Sequence, residues 1–389
     1  MVPLAAAFER AGHDVVVATG SDMAALVEQL GLVAVPVGPT REAGTVLAHG
    51  AHSRAGGSSD DGSLRRMWDH YTYVHKFTTV GARLRSVDLV PLVREWSPVL
   101  VVHEIADFAA PLAAAQSGVL SALHSWGPPL PGKVMSRAGK KAAPLWEEAG
   151  LPVPPAGGMY RGEYLNICPP ALWPNDAGEL PAVQPLRPSP APAQESPTFS
   201  QLEALPFDQT VHVTLGTVAN RTIDIFRTVL AALSALPVNV VVTVGPDREP
   251  SVLGQQPAHV FVASFIPIDA VLNRCDAVVS HGGSGTMLAA LRAGLPQLHL
   301  PFDGDNIRNA RLCEAAGASL QLPAREITAP GIQTAVAMLL DSPAFAQAAR
   351  RVQAEIDLMP GPDDVVEVLE RAVATGGAVG GQAPIRDHL

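Results

Sequence analysis

Residues 281–286, HGGSGT, join the apolar run CDAVVS to TMLAALRAG, which has helical spacing. The first N–H groups of a helix have no partners inside it, so a strand, a glycine turn and a helix start together make an anion site. Glycine lets the backbone come close to a bulky phosphate and adopt angles barred to other residues. Ser284 and Thr286 add hydroxyl donors, and His281 can donate a ring N–H to a phosphate oxygen. Taken alone, a tight connection with no ligand explains the turn equally well. Three neighbouring stretches alter that balance: VTLGTVAN (213–220), SFIPIDAVL (264–272) and PFDGDNIRNA (301–310). All lie at the carboxyl ends of expected strands, where open parallel sheets bind ligands.

The elements needed to hold these stretches are legible as alternating apolar β-branched runs and helical patterns, the signature of an α/β protein with parallel sheets. Strands are expected at 14–19, 33–37, 98–104 and 119–124 in the first half. The second half adds 210–216, 239–245, 259–265, 277–280, 297–301 and 318–323. Helices are expected near 22–30, 80–94 and 107–116. The run LPAVQPLRPSPAPAQESP (180–197) carries too many prolines for a helix or a central strand, and reads as a semi-rigid linker. The chain opens with a helix, a Gly12-His13 turn and a strand. A doubly wound sheet normally places its first strand centrally, so a strand and loop upstream of Met1 are expected.

Composition excludes several classes. With 389 residues, 47% hydrophobic and 16% charged, the chain suits two globular domains. No stretch approaches the roughly 18 apolar residues of a membrane span, and no signal peptide is visible. A net charge of −10 with no basic run argues against nucleic acid. Three scattered cysteines show no metal-ligand spacing and suggest a cytoplasmic location. Asp60-Asp61, in a Gly/Ser-rich loop, reads as solvated rather than as a metal ligand set.

VTLGTV, FIPIDAVLNRCDAVVSHGGSGTMLAALRAGLPQLHLPFDGDNIRNA and AARRVQAEIDLMPGPDDVVEVLE resemble the nucleotide-sugar-dependent glycosyltransferases that decorate natural products in actinomycetes, the family 1-type enzymes of macrolide and polyketide antibiotic biosynthesis. The resemblance extends more loosely to PLAAAFERAGHDVVVAT, PVLVVHEIADFAAPLAAAQSGV and LHSWGP. It implies the GT-B arrangement, two facing Rossmann-like domains with parallel sheets. On that plan residues 1–180 form an acceptor-binding domain, 181–205 a Pro-rich linker, 206–360 the donor-binding domain, and 361–389 a helix and tail, the helix packing back on the first domain.

The same resemblance assigns roles. His281 with the amides of Gly283, Ser284, Gly285 and Thr286 would hold the donor diphosphate, and Thr217 would reach it from the facing loop. Ile266 would meet the pyrimidine through its backbone while Phe265 stacks where many relatives carry tryptophan. Asp305 and Asn306 would grip sugar hydroxyls, with Asn306 in place of the commoner glutamine. The family base, a histidine after the first strand, has no counterpart in this sequence, and the turn residue His13 is assigned to ending a helix. Its partner carboxylate falls on Glu104, with Asp107 the alternative. His70, Tyr73, His124 and Trp126 are candidates for the acceptor pocket, with core packing the competing reading for the aromatics.

The expected reaction moves a sugar, such as a deoxysugar, from a dTDP- or UDP-sugar to a hydrophobic acceptor, with inversion and without a metal or other cofactor. A homodimer is allowed for. The competing classes are a donor-binding helper lacking the catalytic histidine and a nucleotide-sugar epimerase.

Overall fold

The computed structural model describes residues 1–40, 68–189, 199–216, 223–246, 248–302 and 304–376. The side chains of 68–73 and 199–200 are outside that description, as are Thr217, His70 and Tyr73 as candidate site groups. The chain forms two compact units. One comprises 1–168, 174–189 and 360–389; the other comprises 169–173 and 190–359.

The first unit carries six parallel strands: β1 (Val16–Thr19), β2 (Val33–Pro36), β3 (Leu100–Glu104), β4 (Leu120–His124), β5 (Glu163–Asn166) and β6 (Val183–Pro185). They form two sheets, β1-β2 and β3-β4-β5-β6; no ladder joins β1 to β3 among the described residues. Arg85, on helix Ala82–Trp96, connects them instead. It donates to the carbonyls of Val37 and Ala18 and pairs with Asp107 beyond β3. Two strands differ from expectation. EYLN at β5 lacks a β-branched run, and β6 lies inside the Pro-rich run expected to be linker throughout. Pro185 is tolerated there because β6 is an edge strand, where a missing N–H leaves no inner ladder broken.

Helix Pro362–Thr375 belongs to this unit. Its Val365, Val366 and Leu369 share a core with Leu4 and Ala7 of helix Val2–Arg10 and with Ala122 and Leu165 of the sheet. Gly12, at φ +90°, turns the chain out of that first helix, and His13 Nε2 lies 2.8 Å from Glu370 Oε1. Its position after the helix is the one read from the sequence.

The second unit has one parallel sheet of six strands: β7 (Thr210–Thr214), β8 (Asn239–Thr243), β9 (Val260–Ala263), β10 (Ala277–Ser280), β11 (Gln297–His299) and β12 (Ser319–Gln321). Their order is β9-β8-β7-β10-β11-β12. This is the doubly wound order in which the connections reverse direction between the first and fourth strands. Valines dominate β7, β8 and β10, and both faces of these central strands are buried. Near-continuous apolar runs are what a strand covered by helices on two sides requires. That pattern is why this half is so readable.

Candidate functional site

The reversal point of the second sheet lies between β7 and β10, and the two loops leaving it are those singled out by residue type. β7 continues into Leu215-Gly216, and β10 into His281-Gly282-Gly283. Open parallel sheets bind ligands at such a point, outside the carboxyl ends of the strands. The helix that follows runs Ser284–Arg292, with Gly283 as its cap at φ −63°, ψ 139°. Its opening amides have no partners within the helix, the condition under which a helix start can hold an anion. A side chain at Gly285 would meet nothing within 4 Å, so the space beside the first turn is open there.

His281 stands between the two loops. A Cβ on Gly216 would lie 2.5 Å from its Cε1, and one on Gly283 would lie 2.6 Å from its Nε2. Only residues without side chains allow this approach. Burial pushes the imidazole down to about 4, so near neutral pH it is an uncharged ring with one N–H to offer. Behind it, Ser280 Oγ accepts from the Gly282 amide at 3.1 Å and lies 3.3 Å from Nδ1 of the buried His299.

The turn is fixed from a second side by helix Gly304–Ala315. Buried Asn309 donates from Nδ2 to the Gly282 carbonyl at 2.9 Å and to Ser284 Oγ at 3.0 Å. Gly282 sits at φ +84°, and a Cβ there would be 2.9 Å from the Asn306 carbonyl oxygen. Asp305 is half-buried in the first turn of the same helix, and Asn306 is buried beside it. Reading the sequence for chemistry missed Asn309, because a lone amide inside a helical stretch carries no motif of its own.

Phe265 and Ile266 behave oppositely. Ile266 is 3% exposed and packs with Val241, Val271, Leu272, Val278 and Ala290, while Phe265 is 60% exposed. An exposed aromatic face of this size beside an anchored backbone is the arrangement that ring stacking requires. Helix Ile268–Leu272, which follows it, is tied to the helix after the glycine turn by the Arg292–Asp269 ion pair.

In the first unit the pair of acidic candidates separates. Asp107 Oδ1 accepts from the amides of Ala109 and Ala110, at 3.1 and 3.2 Å, while Oδ2 receives Arg85. It therefore caps helix Ala109–Gln116 and closes an ion pair, which leaves little capacity for chemistry. The Glu104 carboxylate accepts from the Ala106 amide at 3.2 Å, and burial, then the charge of Asp107, raise it to about 7. The β3–β4 register sets Glu104 directly beside His124, at the carboxyl ends of both strands. His124 lies 2.6 Å through Nδ1 from the Ser125 carbonyl, and burial first of all holds it down to about 3. Buried and uncharged near neutral pH, it is poorly suited to carry a proton. Trp126 packs edge-on to Phe77, with ring centres 6.3 Å apart, at the margin of a hydrophobic core.

Known proteins resemble this chain over both units. A family model described as the C-terminal domain of erythromycin biosynthesis protein CIII-like proteins matches residues 227–372, and its N-terminal counterpart matches 6–178. The aklavinone 7-beta-L-rhodosaminyltransferase of Streptomyces galilaeus is 30% identical, over 96% of this chain and 92% of that protein. The 3-alpha-mycarosylerythronolide B desosaminyl transferase of Saccharopolyspora erythraea is 28% identical over 96% and 95%. Among solved structures, spinosyn rhamnosyltransferase SpnG complexed with thymidine diphosphate superposes with a TM-score of 0.79. It is 26% identical and covers 95% of each chain; the same figures hold for its complex with spinosyn aglycone. No helix among the described residues is long and apolar enough to cross a membrane.

Proposed function

We propose, for a chain that belongs to the erythromycin biosynthesis protein CIII-like family of natural-product glycosyltransferases, that it moves a deoxysugar from a dTDP-sugar to a hydrophobic polycyclic or macrocyclic aglycone with inversion. The single observation carrying this reading is the HGGSG turn, seated at the reversal point of a doubly wound sheet with a neutral His281 beside the helix start. The thymidine diphosphate bound by SpnG supports dTDP over UDP as the donor nucleotide.

An acceptor hydroxyl attacks the anomeric carbon from the face opposite the diphosphate. The new C–O bond forms as the old one breaks, and the bonding pair leaves on the diphosphate oxygen. Charge therefore grows on the diphosphate in the transition state, where aimed amides and a neutral N–H donor stabilise it most. The amides of Gly283, Ser284, Gly285 and Thr286 with His281 supply those donors on the donor side, without a metal. Phe265 stacks on the base over the Ile266 backbone, and Asp305 with Asn306 meets sugar hydroxyls. The proton leaving the acceptor goes to a base on the acceptor side. Glu104, poised at about 7, takes it up or holds the group that does.

The test combines binding with product analysis. Calorimetry should detect dTDP and find it tighter than UDP. Turnover with a panel of aglycones should persist in a chelator, and NMR should find the glycosidic linkage inverted relative to the donor. Binding of dTDP with no nucleotide release across the panel would favour a donor-binding helper. No affinity for either diphosphate would sink the reading.

A further inference from the structure

We infer that Asn309 is a positioning residue that aims the Ser284 hydroxyl proton at the donor diphosphate; this rests on the reading of residues 281–286 as the diphosphate site. A serine hydroxyl has one proton to donate and two lone pairs with which to accept. Asn309 Nδ2 lies 3.0 Å from Ser284 Oγ and 2.9 Å from the Gly282 carbonyl oxygen. That carbonyl can only accept, so both contacts of Nδ2 are donations and its orientation is fixed. Ser284 Oγ must therefore accept from the amide. Its own proton is left to point elsewhere, and Ser284, as first residue of the helix, precedes Gly285 and the open space beside the first turn.

Asn309 is 3% exposed, so its amide makes these bonds away from bulk water. The same amide group pins the one carbonyl of the turn held at φ +84°. One buried side chain thus sets both the path of the turn and the direction of its hydroxyl.

The chemistry predicts an unusual order of substitutions. Asn309→Asp keeps the shape but replaces the donor with an acceptor. It would draw the Ser284 proton inward and set negative oxygen against the Gly282 carbonyl. Asn309→Ala removes the anchor without recruiting that proton. A residue that only fills space would show the opposite order, the isosteric change being milder.

The experiment measures dTDP affinity by calorimetry, with thermal midpoints, for the full-length protein, Asn309→Ala, Asn309→Asp, Ser284→Ala and the double variant Ser284→Ala/Asn309→Asp. Asn309→Asp is expected to weaken dTDP about tenfold or more, beyond Asn309→Ala, the scale of losing a hydrogen bond to a charged group. In the Ser284→Ala background the loss should shrink by the share that runs through the hydroxyl, since interacting sites are non-additive, while the repulsion between carboxylate and Gly282 carbonyl remains. Equal or milder loss for Asn309→Asp than for Asn309→Ala, or an undiminished loss without the serine hydroxyl, overturns the inference while leaving the diphosphate site standing. Absence of dTDP binding by the unaltered protein removes both.

Discussion

Gly216 and His281 share one space: a Cβ on the glycine would lie 2.5 Å from the imidazole Cε1, and the glycine backbone is held at φ +73°. Gly216, just after β7, and His281, just after β10, therefore approach this closely only because residue 216 has no side chain. Gly216→Ala must strain the backbone and displace the imidazole together. It is expected to weaken dTDP binding about tenfold or more and to lower stability by about 1–3 kcal/mol. Calorimetry and urea midpoints on the same preparation separate the two effects; an alanine variant that binds and folds normally would show that the ring is not fixed.

On the proposed function, neutral His281 donates to charge that appears in the transition state. His281→Ala is expected to slow donor-dependent turnover by roughly 100-fold or more, the scale of losing one such donor. Single-turnover rates with saturating donor read this directly. A rate within twofold of the parent would remove His281 from the diphosphate.

Buried histidines also make the second unit acid-sensitive. His281 and His212 are pushed down to about 4, and His299 to about 3, in each case by burial first. Their pKa values lie below the unfolded value near 6.5, so between those limits the unfolded chain binds more protons than the folded one. Stability is then fully present above about pH 6.5 and is lost as pH falls toward 4. His212 Nδ1 bonds to the Val241 carbonyl, at 3.1 Å, in the interior of the sheet. His212→Asn should flatten the acid limb of a denaturant-midpoint profile even if it costs stability at pH 7.5. An unaltered limb would locate the sensitivity elsewhere.

How much of this was visible in the sequence depended on what each residue had to satisfy. The strands β7 to β12 were legible because a parallel sheet covered on both faces demands apolar β-branched residues. β5 was not, since EYLN buries Glu163 and Asn166, polar residues that only the folded neighbourhood accommodates. β6 was hidden by its prolines, which signal an edge as readily as a linker. The turn at 281–286 was readable from glycine spacing, whereas Asn309 lies in a helix whose amide finds its partners 25 and 27 residues earlier in the chain. Choosing between Glu104 and Asp107 likewise required seeing Arg85, whose pairing with the second is long-range.

That pairing gives a further prediction. Arg85 and Asp107 are 23% and 11% exposed, so removing the arginine strands a largely buried carboxylate. Arg85→Met should cost about 3 kcal/mol or more of stability. Asp107→Asn should lower the thermal midpoint while reducing kcat far less than a change at Glu104. The reverse ranking of the two acids in kcat would assign the acceptor-side role to Asp107.

Glu104 should show opposite signs in rate and stability. Raised to about 7 by burial and by Asp107, it ionises as pH climbs through that value, and turnover should rise over the same interval if the carboxylate is the working form. Folding feels the reverse. The unfolded carboxyl ionises near 4.5, so the folded chain holds an extra proton between 4.5 and 7, and stability falls as pH rises across that window. Glu104→Gln carries no charge to bury. It should therefore slow turnover by about 100-fold, erase the rate limb near pH 7, and be more stable than the parent at pH 8 by about 1 kcal/mol or more. A glutamine variant that is both slower and less stable at pH 8 would make Glu104 a scaffold residue. One that is faster or unchanged would take the proton-accepting step away from β3 altogether.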